Sequence, residues 1–236
     1  MAPPPHQRPG TCLCSRVLQG AEAGCSPLTI YGTPRVPEYE AAKIRRRCSG
    51  ARTRGADVNV YWFDIEVDGP VTEDDIESLG GVLSKADGID ATVQADERGG
   101  VIMFSRGADD AVQAVVSAIR DVEAAGLTVT GIAEDRVTVS DIADRARVTT
   151  ASVRYWVSGQ RGPGDFPLPT VRRERASLFS WAEVAAWLAR AKLGAVDHVA
   201  AETARACVII DAAVTVRNGL RDLPRHNRPL VRELVA

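Results

Sequence analysis

The 236-residue sequence contains no apolar run near the roughly 20 residues that a membrane-spanning helix requires. Its first residues, MAPPPHQRPG, lack the apolar core of a secretory signal, which makes the cytoplasm the expected compartment. There is no Gly-rich phosphate loop, and the three histidines do not cluster. Four of the five cysteines, Cys12, Cys14, Cys25 and Cys48, open the chain as C-x-C followed by two scattered residues. Structural zinc sites need paired C-x₂₋₄-C spacing, so no metal is expected there. No cofactor is implied, and without a catalytic constellation the chain is not expected to be an enzyme.

What is present is segregated charge. The net charge of −2 conceals blocks of opposite sign. Residues 1–56 hold nine Lys and Arg against three Asp and Glu, a balance of +6. Residues 57–135 hold four against 18, giving −14. Residues 136–192 hold ten against five, giving +5, and residues 193–236 hold six against five, giving +1. Such asymmetry suits a modular chain, and a basic block is what a polyanionic partner needs. The plainer reading is that the blocks neutralise each other.

Residues 1–56 carry seven of the 13 prolines and no apolar periodicity, so they are expected to be a disordered tail. An alternative is that translation starts near Val58. If the tail is made, its stretch KIRRRCSGARTR (43–54) could touch nucleic acid.

Residues 57–135 read as an α+β domain. VNVYWFDIEV alternates, placing Tyr61, Phe63, Ile65 and Val67 on one face of a strand. A helix follows over 72–86, with Thr72 as its N-cap and Ile76, Leu79, Val82 and Leu83 as its apolar stripe. Two strands, IDATVQADE and GGVIMFSRG, precede a second helix over 109–126 that ends at Gly126. LTVTGIAE closes as a strand. The order β-α-β-β-α-β predicts a ferredoxin-like arrangement, which by itself assigns no function.

The stretch DIADRARVTTASVRYWV (141–157) predicts two short helices meeting at Arg147-Val148. Ile142 and Ala146 face inward from the first, and Ala143 is small enough for a close crossing. Val148 plugs the turn, while Val153 and Trp156 anchor the second helix. Arg147 stands where glycine is common, at a backbone cost of about 1 kcal/mol. Ser140 is the expected cap of the first helix and Thr149 of the second. Thr150, Ala151 and Ser152 then occupy the second helix's first turn, and Arg154 and Tyr155 lie opposite Val153 and Trp156. Hydroxyls, a guanidinium and a phenol can bond base edges and phosphates. A helical hairpin with a polar outer face is the alternative.

Downstream come a Gly/Pro turn, FPLP, a basic loop and SLFSW. Ser180 with Glu183 forms a candidate capping box. In the helix that follows, Trp181, Val184, Trp187 and Leu188 face inward. Helix-turn-helix, G-x-F-P-x-P, basic hairpin and W-x-E-V-x-x-W-L together resemble the winged helix-turn-helix of the excisionase and MerR-type families. The chain also resembles actinobacterial regulators that place a small α/β domain before such a module. The resemblance covers 137–192 well and 57–135 loosely.

It implies that the second helix enters the major groove of double-stranded DNA, with Thr149, Thr150, Ser152, Arg154 and Tyr155 as contacts. It implies a wing on which Arg172, Arg173 and Arg175 meet phosphates or the minor groove, with Arg161 holding phosphate at the turn. No MerR-type effector domain is matched, so metal or drug sensing is not implied.

Residues 196–222 are expected to be helical, with Val196, Val199, Ala206, Ile210 and Ala213 on one stripe that pairs two chains or packs on the winged helix. Thr203 interrupts the stripe, and its hydroxyl can bond a carbonyl one turn earlier. His198 and Cys207 read as packing residues. The arginine-rich end is expected to be a mobile tail or a short last helix. The expected function is a sequence-specific DNA-binding regulator of the nucleoid, with a homodimer through 57–135 or 196–222. The rival is a protein-interaction adaptor or antitoxin-like module.

Overall fold

The computed structural model describes residues 29–30, 58–84, 89–96, 98–172 and 177–235. The cysteines Cys12, Cys14, Cys25 and Cys48, and the basic stretch 43–54, lie outside the described residues. Two residues of the segment expected to be disordered, Thr29–Ile30, form strand β1.

The alternating run at 59–68 forms β2 (Asn59–Asp68), with Tyr61, Phe63, Ile65 and Val67 buried as expected. Helix α1 (Glu73–Leu83) starts at Thr72. The Thr72 hydroxyl accepts the Asp75 amide, and the Asp75 carboxylate accepts the Thr72 amide. Bonds from the Thr72 side chain, then its backbone, hold the Asp75 carboxyl below its ordinary range. β3 (Ile89–Asp96) and β4 (Gly99–Ala108) form a hairpin. Helix α2 (Ala111–Ala124) is capped by Asp110 and ends before Gly126, whose φ of 95° is the left-handed backbone that favours glycine. β5 (Val129–Ile132) follows.

The sheet order is β1-β3-β4-β2-β5. β3 with β4, β4 with β2 and β2 with β5 pair antiparallel, while β1 pairs parallel with β3. Phe63 sits opposite Phe104, and their rings stack at 5.6 Å. Arg106 is buried on the same face, bonded to Ser117 and Asp121 at 2.7 and 2.5 Å.

A second, smaller unit follows. β6 (Arg136–Val137) leads into α3 (Val139–Ala146) and α4 (Thr150–Val157). β7 (Val171–Arg172) and β8 (Ser177–Ser180) form a hairpin, and α5 (Trp181–Ala191) completes the unit. β8 pairs with both β6 and β7 in a three-stranded antiparallel sheet. The described chain is therefore α+β, and no described helix is long and apolar enough to cross a membrane.

Helix α6 (His198–Asp222) belongs to both units. Ala204 sits in the core of the smaller one, and Ala206, Cys207, Ile210 and Val214 sit in the core of the larger. The expected stripe is thus taken up within the chain, with two changes. Val214 is buried where Ala213 was expected, and His198, expected to pack, is exposed. The helix begins after Asp197, whose carboxylate accepts the amides of Val199 and Ala200, rather than at residue 196. The Thr203 hydroxyl donates to Val199 O at 2.7 Å, the one-turn bond expected of it.

Two polar side chains on α6, seven residues apart, bond the outer side of β5. Ala133 N and Thr128 O point toward β2, where they bond Asp64 O and Asp68 N. Strand backbone groups alternate in direction. Ile132 N and Val129 O therefore face outward. Asp211 accepts the first at 2.8 Å and Asn218 donates to the second at 2.9 Å. A strand edge that would otherwise invite pairing is closed by the helix. The arginine-rich end forms α7 (Arg228–Val235).

Candidate nucleic-acid interface

Helix α3 is capped by Thr138, not Ser140 as expected. The Thr138 hydroxyl accepts the Asp141 amide at 3.3 Å, and Asp141 accepts the Thr138 amide at 2.8 Å. A threonine two residues earlier, with an acid three residues on, makes the reciprocal pair that Ser140 could not. Ile142, Ala143 and Ala146 are buried as expected.

Arg147 ends the helix at φ 55°, ψ 44°, in the left-handed conformation. This lets Val148 N bond Ala143 O at 2.9 Å and Arg147 N bond Asp144 O at 3.3 Å, which pairs carbonyls of the last turn. Thr149 caps α4 as expected, accepting the Ser152 amide at 3.1 Å.

Val153 is fully buried, and Trp156 packs against Trp187 with ring centroids 5.4 Å apart. Trp187 also meets Phe166 edge-on at 4.9 Å, and Phe166 meets Phe179 at 5.6 Å. The Trp187 indole N–H donates to Gly164 O at 2.8 Å. A Cβ at Gly162 would lie 2.8 Å from the Trp156 ring, so the loop after α4 fits only with glycine there. This aromatic cluster ties the loop 158–170 to the same core that seats α4.

The opposite side of α4 carries the expected polar groups. Arg154 is exposed, and Tyr155 is 40% exposed. The Arg161 guanidinium lies 5.1 Å from the Tyr155 ring centroid, so two residues expected to contact DNA form one stacked unit. The Thr149 and Ser152 hydroxyls are 2.9 Å apart and bonded to each other. Their first duty is capping, and each keeps spare bonding capacity for a ligand. Thr150 is half-buried. Arg172 ends β7 and is exposed, while Arg173 and Arg175 lie outside the described residues. No hydrogen bond or ion pair to a described residue engages the side chain of Arg154 or Arg172.

Ser180 is buried at the N-cap of α5, but its hydroxyl makes no capping bond, so the Ser180–Glu183 capping box does not form. The Trp181 amide bonds Asp135 O at 2.9 Å instead. Arg145 lies 4.9 Å over the Trp181 ring and grips the Asp135 carboxylate with two bonds. Sequence reading missed this lock, because Asp135 and Arg145 have no helical spacing and meet only through the fold.

Compared with family models, curated proteins and solved structures, the chain has no match.

Proposed function

We propose that the chain is a sequence-specific binder of double-stranded DNA and a transcriptional regulator working on nucleoid DNA in the cytoplasm. In this reading α4 enters the major groove and the β7–β8 hairpin is a wing that grips the backbone. The observation that carries it is the two-sidedness of α4. Val153 and Trp156 hold the helix in the core, while Arg154, Tyr155 and the stacked Arg161 stand exposed and, among the described residues, unpaired with any carboxylate. A guanidinium on an exposed helix face suits bidentate bonding to guanine, and phosphate contacts from Arg172, Arg173 and Arg175 would fix register.

The resemblance to excisionase and MerR-type winged helix-turn-helix proteins supports the same reading. The short α3–α4 turn and a hairpin between α4 and α5 follow the order that resemblance implies. In the larger unit, the order β3-β4-β2-β5 supports a ferredoxin-like reading of residues 57–135. Its −14 charge would be repelled by phosphate, which leaves it to regulate or to pair two chains.

A second reading, the protein-interaction adaptor or antitoxin-like module, has one observation in its favour. Val60 and Trp62, 46% and 43% exposed, lie on the sheet face opposite the helices.

The test is selection of bound duplexes from a random pool by the full chain, then titration of the enriched and scrambled duplexes at several salt concentrations. Enrichment of a sequence, with steeply salt-dependent affinity, is the expected result. Absence of duplex binding even at low salt overturns the reading in favour of the adaptor.

A further inference from the structure

Two cations occupy backbone positions that ordinarily favour glycine, and they do so at the same corner of the fold. Arg147 follows α3 at φ 55°, and Lys192 follows α5 at φ 53°. Side-chain-bearing residues are strained in this region, and glycine is free there. Non-glycine residues held this way cluster at functional sites.

The segment that follows α5 touches the end of α3. Ala195 N bonds Ala146 O at 2.8 Å. A Cβ at Gly194 would come within 2.8 Å of Ala146 O, so the approach leaves no room for a side chain. The chain thus places glycine at 194, where space demands it, and cations at 147 and 192, where conformation favours glycine. Both cations are exposed, and no described residue forms an ion pair with either. Arg147 stands two residues before Thr149, the cap of α4.

We propose that Arg147 and Lys192 form a phosphate clamp for the DNA backbone beside the N-terminus of α4, separate from the wing. This rests on the DNA-binding reading above and deepens it. The clamp accounts for the strain: each position gives up the relaxed backbone of glycine for a charge. On a duplex, the clamp grips the backbone at one end of the groove-reading helix and fixes its depth and tilt.

The test follows from the opposing signs. In the full chain, Arg147→Gly, Lys192→Gly and the double variant relieve the strain, so the melting temperature should rise. The same variants should weaken enriched and scrambled duplexes alike, and the slope of log affinity against log salt should fall by about 0.9 for each cation removed. Arg147→Asn keeps a residue that tolerates the left-handed region and should weaken binding as the glycine variant does.

A wild-type chain that binds duplex while the variants bind equally, with an unchanged slope, overturns the clamp. So does a lower melting temperature with binding unchanged, since the cations would then serve only the negative helix ends. A wild-type chain that binds no duplex overturns the DNA-binding reading itself, and the two failures are told apart by that control.

Discussion

Asp135 and Arg145 are joined by two hydrogen bonds, Nη1 to Oδ2 at 2.6 Å and Nη2 to Oδ1 at 3.0 Å. Asp135 lies between the last strand of the larger sheet and β6, and Arg145 is on the first helix of the smaller unit. The forked pairing fixes direction as well as distance. The Asp135 carbonyl also accepts the Trp181 amide, so one residue holds both α3 and α5.

Asp135→Ala removes this lock. Both side chains are about a third exposed, at 31% and 33%, so solvent screening limits the loss to about 1 kcal/mol. The expected result is a melting temperature lower by a few degrees, with faster amide exchange at the start of α3. Exchange there equal to wild type would show that the pairing does not hold the junction.

Arg154 and Arg172 should separate base reading from backbone grip. Arg154→Ala should cost roughly 1–3 kcal/mol on the enriched duplex and relax preference at one or two base pairs. Arg172→Ala should weaken enriched and scrambled duplexes about equally and lower the salt slope by about one. Titrations of both duplexes across salt concentration decide it. If Arg154→Ala weakens both alike, Arg154 holds phosphate, and base reading falls to Thr150, Ser152 or Tyr155.

Trp187 connects the core to the loop after α4. Trp187→Phe keeps most of the ring contact with Trp156 and Phe166 but removes the bond to Gly164 O. A net loss of about 1 kcal/mol is expected, with faster amide exchange confined to residues 158–170 and weaker duplex binding through the displaced Arg161. Faster exchange spread over α5 instead would mean that the indole N–H steadies the core rather than the loop.

Cys207, on the buried face of α6, is 3% exposed. Burial first, then the nearby charges of Asp135, Asp64 and Asp211, raises its thiol from 9.0 to about 12. The folded chain therefore favours the neutral thiol. Its contribution to stability is complete below the unfolded value and is lost as pH rises from about 9 toward 12, because only the unfolded chain ionises there. Denaturant midpoints measured between pH 8 and 11 should fall along this course. In Cys207→Ala the fall should be shallower, from a lower starting stability. An identical pH dependence in both proteins would rule out the thiol as its source.

Much of this molecule could be read along the chain because local patterns carried it. The alternation of Tyr61, Phe63, Ile65 and Val67 and the inward set Trp181, Val184, Trp187 and Leu188 needed only the periods of strand and helix. Thr72 and Thr149 cap their helices because the bond is made to an amide three residues away. The polar face of α4 was likewise determined by helical spacing from Val153.

Tertiary structure decided what depends on distant segments. Ser180 lost its capping box because that corner is buried against Asp135. The stripe on α6 could have paired two chains; it instead joins two cores, and the same helix closes the edge of β5. That outcome rests on Asp211 and Asn218 meeting backbone groups about 80 and 90 residues away, a relation no local period encodes. The meeting of Ala146 with Gly194 and Ala195, which brings the ends of α3 and α5 to one corner, came the same way, since residues 48 and 49 positions apart approach this closely only because position 194 carries no side chain.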